Sequence, residues 1–156
     1  MAVGYLTLKL IHIFGVVVFL GNIIVTGVWK GMADRTRRVE VVAFGQRLVT
    51  LTDFVFTGLG AAIVLLTGLM MTQTLGWGIW RTLWLQWGVG LFLASGLIWV
   101  GVLIPIQIKQ ARLARHFGHD PIDPEYWRLG RIWMFAGVVA ILLPVGTLCL
   151  MVFKPT

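Results

Sequence analysis

Hydrophobic residues along the chain fall into four long stretches that are separated by polar segments. The stretches run from about 5 to 29, 48 to 72, 83 to 104 and 132 to 153. Each is long enough to cross a bilayer, because a spanning helix needs roughly 17–25 mostly apolar residues. The pattern therefore predicts an all-α fold, a four-transmembrane-helix bundle that forms a single integral membrane domain over residues 1–156.

The composition supports a membrane protein rather than a soluble one. Hydrophobic residues make up 58% of the chain and charged residues 12%, against roughly 45–50% and 25% in soluble domains. The formal net charge of +7 does not indicate nucleic acid as a partner, because the basic residues stand beside the hydrophobic stretches. Basic residues at such positions set the orientation of a membrane protein, and its partner is membrane lipid.

The basic residues predict how the bundle is oriented. Five lie in or beside the connection after the first stretch, and five lie in the connection after the third stretch: Lys30, Arg35, Arg37, Arg38 and Arg47, then Lys109, Arg112, Arg115, Arg128 and Arg131. The positive-inside rule places such connections in the cytoplasm. We therefore expect a bacterial inner-membrane protein with connections 30–47 and 105–131 cytoplasmic and both termini on the outer side.

Tryptophans gather near the predicted ends of the spans. Trp77, Trp80 and Trp84 fall at the outer turn, and Trp29, Trp127 and Trp133 fall on the cytoplasmic side. Tryptophan favours the membrane interface because its ring is apolar while its N–H seeks a polar partner. We interpret both groups as interfacial belts, with a platform for a quinone or porphyrin as the alternative.

The first stretch holds the only histidine that lies inside an apolar run, His12. Helical spacing groups it with small and polar residues on one face: Leu8, His12, Gly15, Phe19, Asn22 and Thr26. Gly15 leaves room for a flat group or for a closely packed helix. Lys9 lies one turn towards the outside, where it could snorkel or meet an acidic group of a ligand.

Two interpretations of His12 stay open at this point. A neutral imidazole is a good axial ligand of haem iron, which makes His12 a candidate metal ligand for haem b. A hydrogen-bonded histidine packed between helices needs no cofactor. A second ligand would be Met70, Met71, Met134, a water, or His12 of another copy in a homo-oligomer. His116 and His119 lie in connection 105–131 and are expected to be solvated. No arrangement of nucleophile, base and acid is present, so catalytic residues are unknown.

Asp53 is the only acidic residue inside an apolar stretch. It shares a helical face with Thr50 and Thr57. An unpaired carboxylate in a membrane is costly, and its simplest partner is Arg47 or Arg131. We weigh a structural ion pair against a proton-relay or ligand-contact role.

Three segments of the chain carry a resemblance to a known family. The run from Leu8 to Gly15, the segment from Leu97 to Gln107 and the closing run from Leu150 to Pro155 resemble the DUF2269 family. Its members are small predicted integral membrane proteins of bacteria without an assigned function. The resemblance covers nearly the whole chain and implies the same kind of protein.

A more distant resemblance is to HemJ-type protoporphyrinogen oxidases. Lys9 and His12 match a Lys-x-x-His near the start of their first span, and Lys154 and Pro155 match the end of their last helix. The resemblance implies b-type haem at His12. Phe19 stands where those proteins have tryptophan, and their Asn-Glu-x-Pro motif has no counterpart before the last span, so the resemblance does not extend to the oxidase reaction.

Three functions follow as hypotheses. The first is a haem b protein in membrane redox chemistry, with His12, Lys9, Gly15, Phe19 and Asn22 at the cofactor. The second is a non-catalytic accessory or assembly subunit of a larger membrane complex. The third is a proton or small-solute path along His12, Asn22, Asp53 and Thr57.

Overall fold

The computed structural model describes residues 2–118 and 122–155 of the chain, with side chains from residue 4 onward. These residues form four long helices and one short 3-10 turn, Ile79–Arg81. The helices are α1 (Ala2–Arg35), α2 (Val39–Thr74), α3 (Leu83–Arg115) and α4 (Pro124–Phe153). All four are long and apolar enough to cross a membrane. The predicted all-α bundle with four spans is therefore confirmed.

The helices continue past the predicted ends of the spans. They contain 30 to 36 residues and so reach about 45–54 Å at 1.5 Å per residue, whereas the hydrocarbon core is about 30 Å thick. The predicted connections 30–47 and 105–131 are therefore mostly helical. Their described non-helical residues are 36–38, 116–118 and 122–123.

Pro105, directly after the predicted stretch 83–104, does not end the helix of the third span. The helix runs through this proline to Arg115, and a π-helical segment, Trp99–Leu103, directly precedes it. Proline has no N–H, and its ring collides with the carbonyl four residues earlier in a regular α-helix. The wider π turn relieves this conflict, so the hydrogen-bond pattern of α3 changes locally and the helix continues.

The bundle is built from two tightly packed pairs, α1 with α2 and α3 with α4. Hydrogen bonds from side chains to backbone join the second pair: Ser95 Oγ donates to Ala140 O at 2.7 Å and Thr147 Oγ1 donates to Gly88 O at 3.0 Å. The α2 and α3 helices meet near the two longer connections, while α1 and α4 have fewer contacts than the other neighbouring pairs.

The tryptophans at the two ends differ in their surroundings. At the α2–α3 turn the rings of Trp77 and Trp84 meet edge to face at 5.4 Å, and Lys154 Nζ lies 4.8 Å from the Trp77 ring centre. Lys154, which directly follows α4, therefore lies beside the α2–α3 turn. At the opposite end Trp133 is buried, with 6% of its surface exposed. Trp133 therefore packs inside the bundle, as Trp84 does with 9% of its surface exposed, and the interfacial belts stay a prediction.

Candidate functional site: a cavity between the four helices

A cavity of about 350 Å³ lies inside the bundle, and residues of all four helices line it. Its walls are mainly apolar and include four aromatic rings, those of Phe19, Phe92, Trp99 and Trp133. The first two rings pack against each other at 5.8 Å between their centres. A cavity with apolar walls and few polar groups is the usual form of a small-molecule site.

Asp53 is the one ionisable side chain among the residues that line this cavity. It is 5% exposed. Its Oδ2 atom accepts hydrogen bonds from Trp99 Nε1 at 2.9 Å and from Gln107 Nε2 at 2.7 Å. Its Oδ1 atom has no hydrogen-bond partner within residues 2–118 and 122–155. The carboxylate is thus held in place through one oxygen while the other stays available.

The expected ion pair of Asp53 is not formed. Arg47 and Arg131 are both exposed, and no salt bridge joins either arginine to Asp53 in the described part of the chain. Both arginines extend from the helix surface, where water or lipid headgroups solvate them at little cost. The neutral N–H groups of α3 take the place that we expected an arginine to hold.

Both residues of the Asp53–Trp99 contact begin π-helical segments. Asp53 opens the segment Asp53–Gly58 of α2, and Trp99 opens Trp99–Leu103 of α3. A π turn holds one residue more than an α turn requires and changes the direction of the side chains that follow it. Such segments are rare and occur frequently at functional sites. Here two of them face each other across the polar end of the cavity.

The other polar groups at the cavity mostly have partners. Thr26 Oγ1 donates to the Asn22 carbonyl at 2.8 Å, and Asn22 Nδ2 donates to Thr57 Oγ1 at 2.9 Å and to the Thr52 carbonyl at 3.2 Å. Asn22, predicted at a cofactor, therefore ties α1 to α2. Among the described residues that line the cavity, Asp53 has an acceptor oxygen without a partner, and Trp133 has a buried Nε1 donor without one.

The cavity opens sideways, between α1 and α4. Ile24 and Val28 of α1 and Val138 of α4 line it, and the three side chains are 55%, 54% and 51% exposed. These positions belong to helices that are long and apolar enough to cross a membrane.

His12 lies away from this cavity. Its Nδ1 atom is 2.9 Å from Thr67 Oγ1 of α2. A Cβ atom on Gly15 would come within 2.8 Å of Ile63 Cγ2, so α1 and α2 are in direct contact at this level. Lys9 is exposed. Of the two uses that we expected for Gly15, close helix packing is the one that the structure shows.

The predicted cofactor residues are thus divided between two places. Phe19 lines the cavity and packs closely on Gly60, whereas His12, Gly15 and Lys9 are not among the lining residues. The predicted cofactor residues therefore do not line one common cavity, and haem ligation by His12 stays a prediction. The path hypothesis is divided likewise, because Asp53, Thr57 and Asn22 lie together while His12 bonds elsewhere.

Of the two histidines in connection 105–131, the structure describes His116. His116 is exposed and its Nδ1 atom lies 2.9 Å from the Arg112 carbonyl, while His119 lies outside the described residues. Among the residues that the structure describes, no three His, Cys, Asp or Glu side chains are grouped to hold a metal ion.

The sequence reasoning missed a second buried polar cluster, beside the cavity. Lys30 is 1% exposed, and its Nζ atom donates to Gln46 Oε1 at 2.8 Å and to Tyr126 OH at 2.9 Å and pairs with Asp34 Oδ2 at 3.1 Å. Gln110 of α3 donates to the Tyr126 carbonyl at 3.2 Å. The four helices are therefore joined here. The spacing of four residues between Lys30 and Asp34 was the available signal, since it puts both on one face.

Comparison with known proteins now assigns the chain to a family. The family described as predicted integral membrane protein (DUF2269) matches residues 6–155. The chain belongs to the DUF2269 family. No significant match to a curated protein or to a solved structure was found. The DUF2269 assignment confirms the first resemblance, and the resemblance to HemJ-type oxidases stays a prediction.

Proposed function

We propose that this DUF2269 protein is an intramembrane binding protein for a small, mainly apolar molecule that enters from the bilayer. The observation that carries the proposal is the cavity lined by all four helices, with Asp53 as its polar anchor and a lateral opening between α1 and α4. A haem role and an accessory-subunit role have no comparable feature in their support.

The size and lining of the cavity fit a ligand of this kind. Its volume of about 350 Å³ lies at the lower end of the roughly 300–1,000 Å³ that ligand pockets occupy. The apolar walls give the body of the ligand surroundings that are as apolar as the lipid it leaves. The unused Asp53 Oδ1 atom accepts one hydrogen bond and so selects molecules with a polar group at one end.

Glycines leave the opening wide. Gly27 of α1 and Gly137 of α4 both line the cavity, and a Cβ atom added at either position meets nothing within 4 Å. A large side chain at Gly27 is therefore accommodated without a clash in the backbone and occupies the ligand's route. This gives a variant that tests binding without removing any hydrogen bond.

The test is photolabelling of the protein in nanodiscs of zwitterionic lipid. The probe is a medium-chain alkyl alcohol that carries a diazirine, and labelled residues are located by mass spectrometry. We expect saturable labelling of cavity residues that an excess of unlabelled alcohol removes, and we expect Gly27→Phe to abolish it.

Gly21→Phe is the matched control. Gly21 is also a glycine of α1 at which an added Cβ meets nothing within 4 Å, but it does not line the cavity. Labelling that is unsaturable, or that survives Gly27→Phe as well as it survives Gly21→Phe, would show that the probe only samples the lipid-facing surface. The proposal would then be rejected.

We also propose that the two longer connections face the cytoplasm of the bacterial inner membrane. The ten basic residues in and beside them support this orientation. In a Cys149→Ser background, Arg38→Cys is expected to resist a membrane-impermeant thiol reagent in intact cells and to react in inverted vesicles. Reaction in intact cells would reverse the assignment.

A further inference from the structure

We infer that the cavity binds a lipophilic amine in its protonated form, with the ammonium group paired to the free Oδ1 atom of Asp53. This inference rests on the proposed function and names the chemical class of the ligand. It follows from how Asp53 is held and from what surrounds it.

The charge of Asp53 has no counterpart within the chain. In the described residues the salt bridges are Lys30–Asp34, Lys109–Glu125 and Arg128–Glu125, and none includes Asp53. A carboxylate in a low-dielectric interior is costly unless it is paired. A cation that comes from outside the chain supplies the missing partner.

The two contacts that Asp53 does make orient its carboxylate without neutralising it. Trp99 Nε1 and Gln107 Nε2 are uncharged donors, and both bind Oδ2. Fixing one oxygen through two hydrogen bonds limits rotation of the group. Oδ1 is then presented as a preformed acceptor, which lowers the ordering cost when a ligand binds.

The buried Lys30–Asp34 pair shows the contrast within the same bundle. There the acid meets a lysine of its own chain at 3.1 Å, and the lysine also has two uncharged acceptors, on Gln46 and Tyr126. Asp53 has uncharged partners, but none of the salt bridges in the described part of the chain gives it a cationic one. Its surroundings are those of the acidic member of an ion pair without the basic member.

The walls of the cavity suit an organic cation better than a metal ion. The faces of aromatic rings attract ammonium groups, and four aromatic side chains line this cavity. Asp53 is the one carboxylate there, whereas hard metal ions require several oxygen ligands. The apolar walls take the alkyl part of the amine, and the lateral opening admits an amphiphile that has partitioned into the bilayer.

The experiment compares two photoprobes with the same alkyl chain and diazirine, one a primary amine and one an alcohol, in nanodiscs of zwitterionic lipid. We expect half-saturation by the amine at a concentration roughly tenfold lower than by the alcohol, after correction for partition into protein-free nanodiscs, because a hydrogen bond to a charged group is stronger than one between neutral groups.

Asp53→Asn keeps the shape of the side chain and removes its charge. We expect this variant to lose the preference for the amine while it still binds the alcohol. Glu40→Gln makes the same change of charge at an exposed position and is expected to keep the preference. The wild-type comparison stands by itself should the Asp53 variant not fold.

The remaining outcomes overturn either the amine inference or the proposed function. Equal binding of amine and alcohol by the wild-type protein, the result expected if a proton neutralises Asp53, overturns the amine inference and leaves the proposed function intact. A preference for the amine that persists in Asp53→Asn also overturns the inference. Saturable binding of neither probe rejects the proposed function itself.

Discussion

Replacing Lys30 by methionine tests whether the buried polar cluster holds the four helices together. Methionine is unbranched and close to lysine in length, so the packing is largely kept while the ammonium group is removed. The change deletes the hydrogen bonds to Gln46 and Tyr126 and the ion pair with Asp34. Three acceptors then lose the ammonium group, although the Tyr126 hydroxyl still reaches Gln46 Oε1 and Asp34 Oδ1, each at 3.2 Å, and can donate to one of them.

The expected cost follows from the burial of these groups. Removing one member of a buried ion pair costs about 3–5 kcal/mol in soluble proteins. Two features reduce that figure here. The Asp34 side chain is 21% exposed and can recruit water, and single hydrogen bonds between membrane helices average only about 0.6 kcal/mol. We therefore expect Lys30→Met to lower the free energy of unfolding by about 2–3 kcal/mol.

The assay is reversible unfolding in mixed micelles with increasing SDS, followed by circular dichroism. The matched control is Lys109→Met, because Lys109 also pairs with an acid of its own chain but is exposed: the Lys109–Glu125 contact is 2.6 Å long, with side chains 53% and 34% exposed. An exposed pair contributes about 0–1 kcal/mol, so this control is expected to change stability little.

A double-mutant cycle completes the test. Asp34→Asn alone leaves the Lys30 ammonium without its anion, and the double variant Lys30→Met/Asp34→Asn removes both charges. We expect the double variant to lose less stability than the sum of the single variants, by about 1–2 kcal/mol. A loss in Lys30→Met no larger than that in Lys109→Met, or strict additivity in the cycle, would refute the reasoning.

Three further predictions concern helix packing and His12. Gly15→Leu should lower the free energy of unfolding by about 1–3 kcal/mol, measured in the same SDS assay, because the new side chain collides with Ile63; unchanged stability would contradict it. Ser95→Ala removes the bond to the Ala140 carbonyl and should cost about 0.6–1.5 kcal/mol; a neutral result would mean that water replaces it. Haem ligation by His12 predicts a Soret band that His12→Ala abolishes; a folded protein without the band would leave His12 as a hydrogen-bond partner between α1 and α2.

Much of the architecture could be predicted from the hydrophobic pattern. Lipid requires about twenty apolar residues for each span, and four such stretches allow few arrangements other than four helices. The spacing of Asp53 and Thr57 also placed them correctly on one face of α2, where both line the cavity. The ends of the helices lie beyond the predicted spans, because polar helical turns carry no hydrophobic signal.

The partners of the polar residues were decided by the tertiary structure. Asp53 bonds to side chains 46 and 54 positions further along the chain, and no periodicity within α2 identifies them. Lys30 looked like an orienting charge, but the end of α1 is covered by Gln46 and Tyr126 from two other helices.

The physical reason is that lipid is as apolar as the helix surfaces, so hydrophobicity predicts that a helix lies in the membrane but not which face meets which neighbour. By itself, the sequence determined the number of helices that are long and apolar enough to cross a membrane. The cavity, its lateral opening and the half-satisfied carboxylate exist only after the helices have packed, because close contacts and polar pairs choose among faces that lipid accepts equally well.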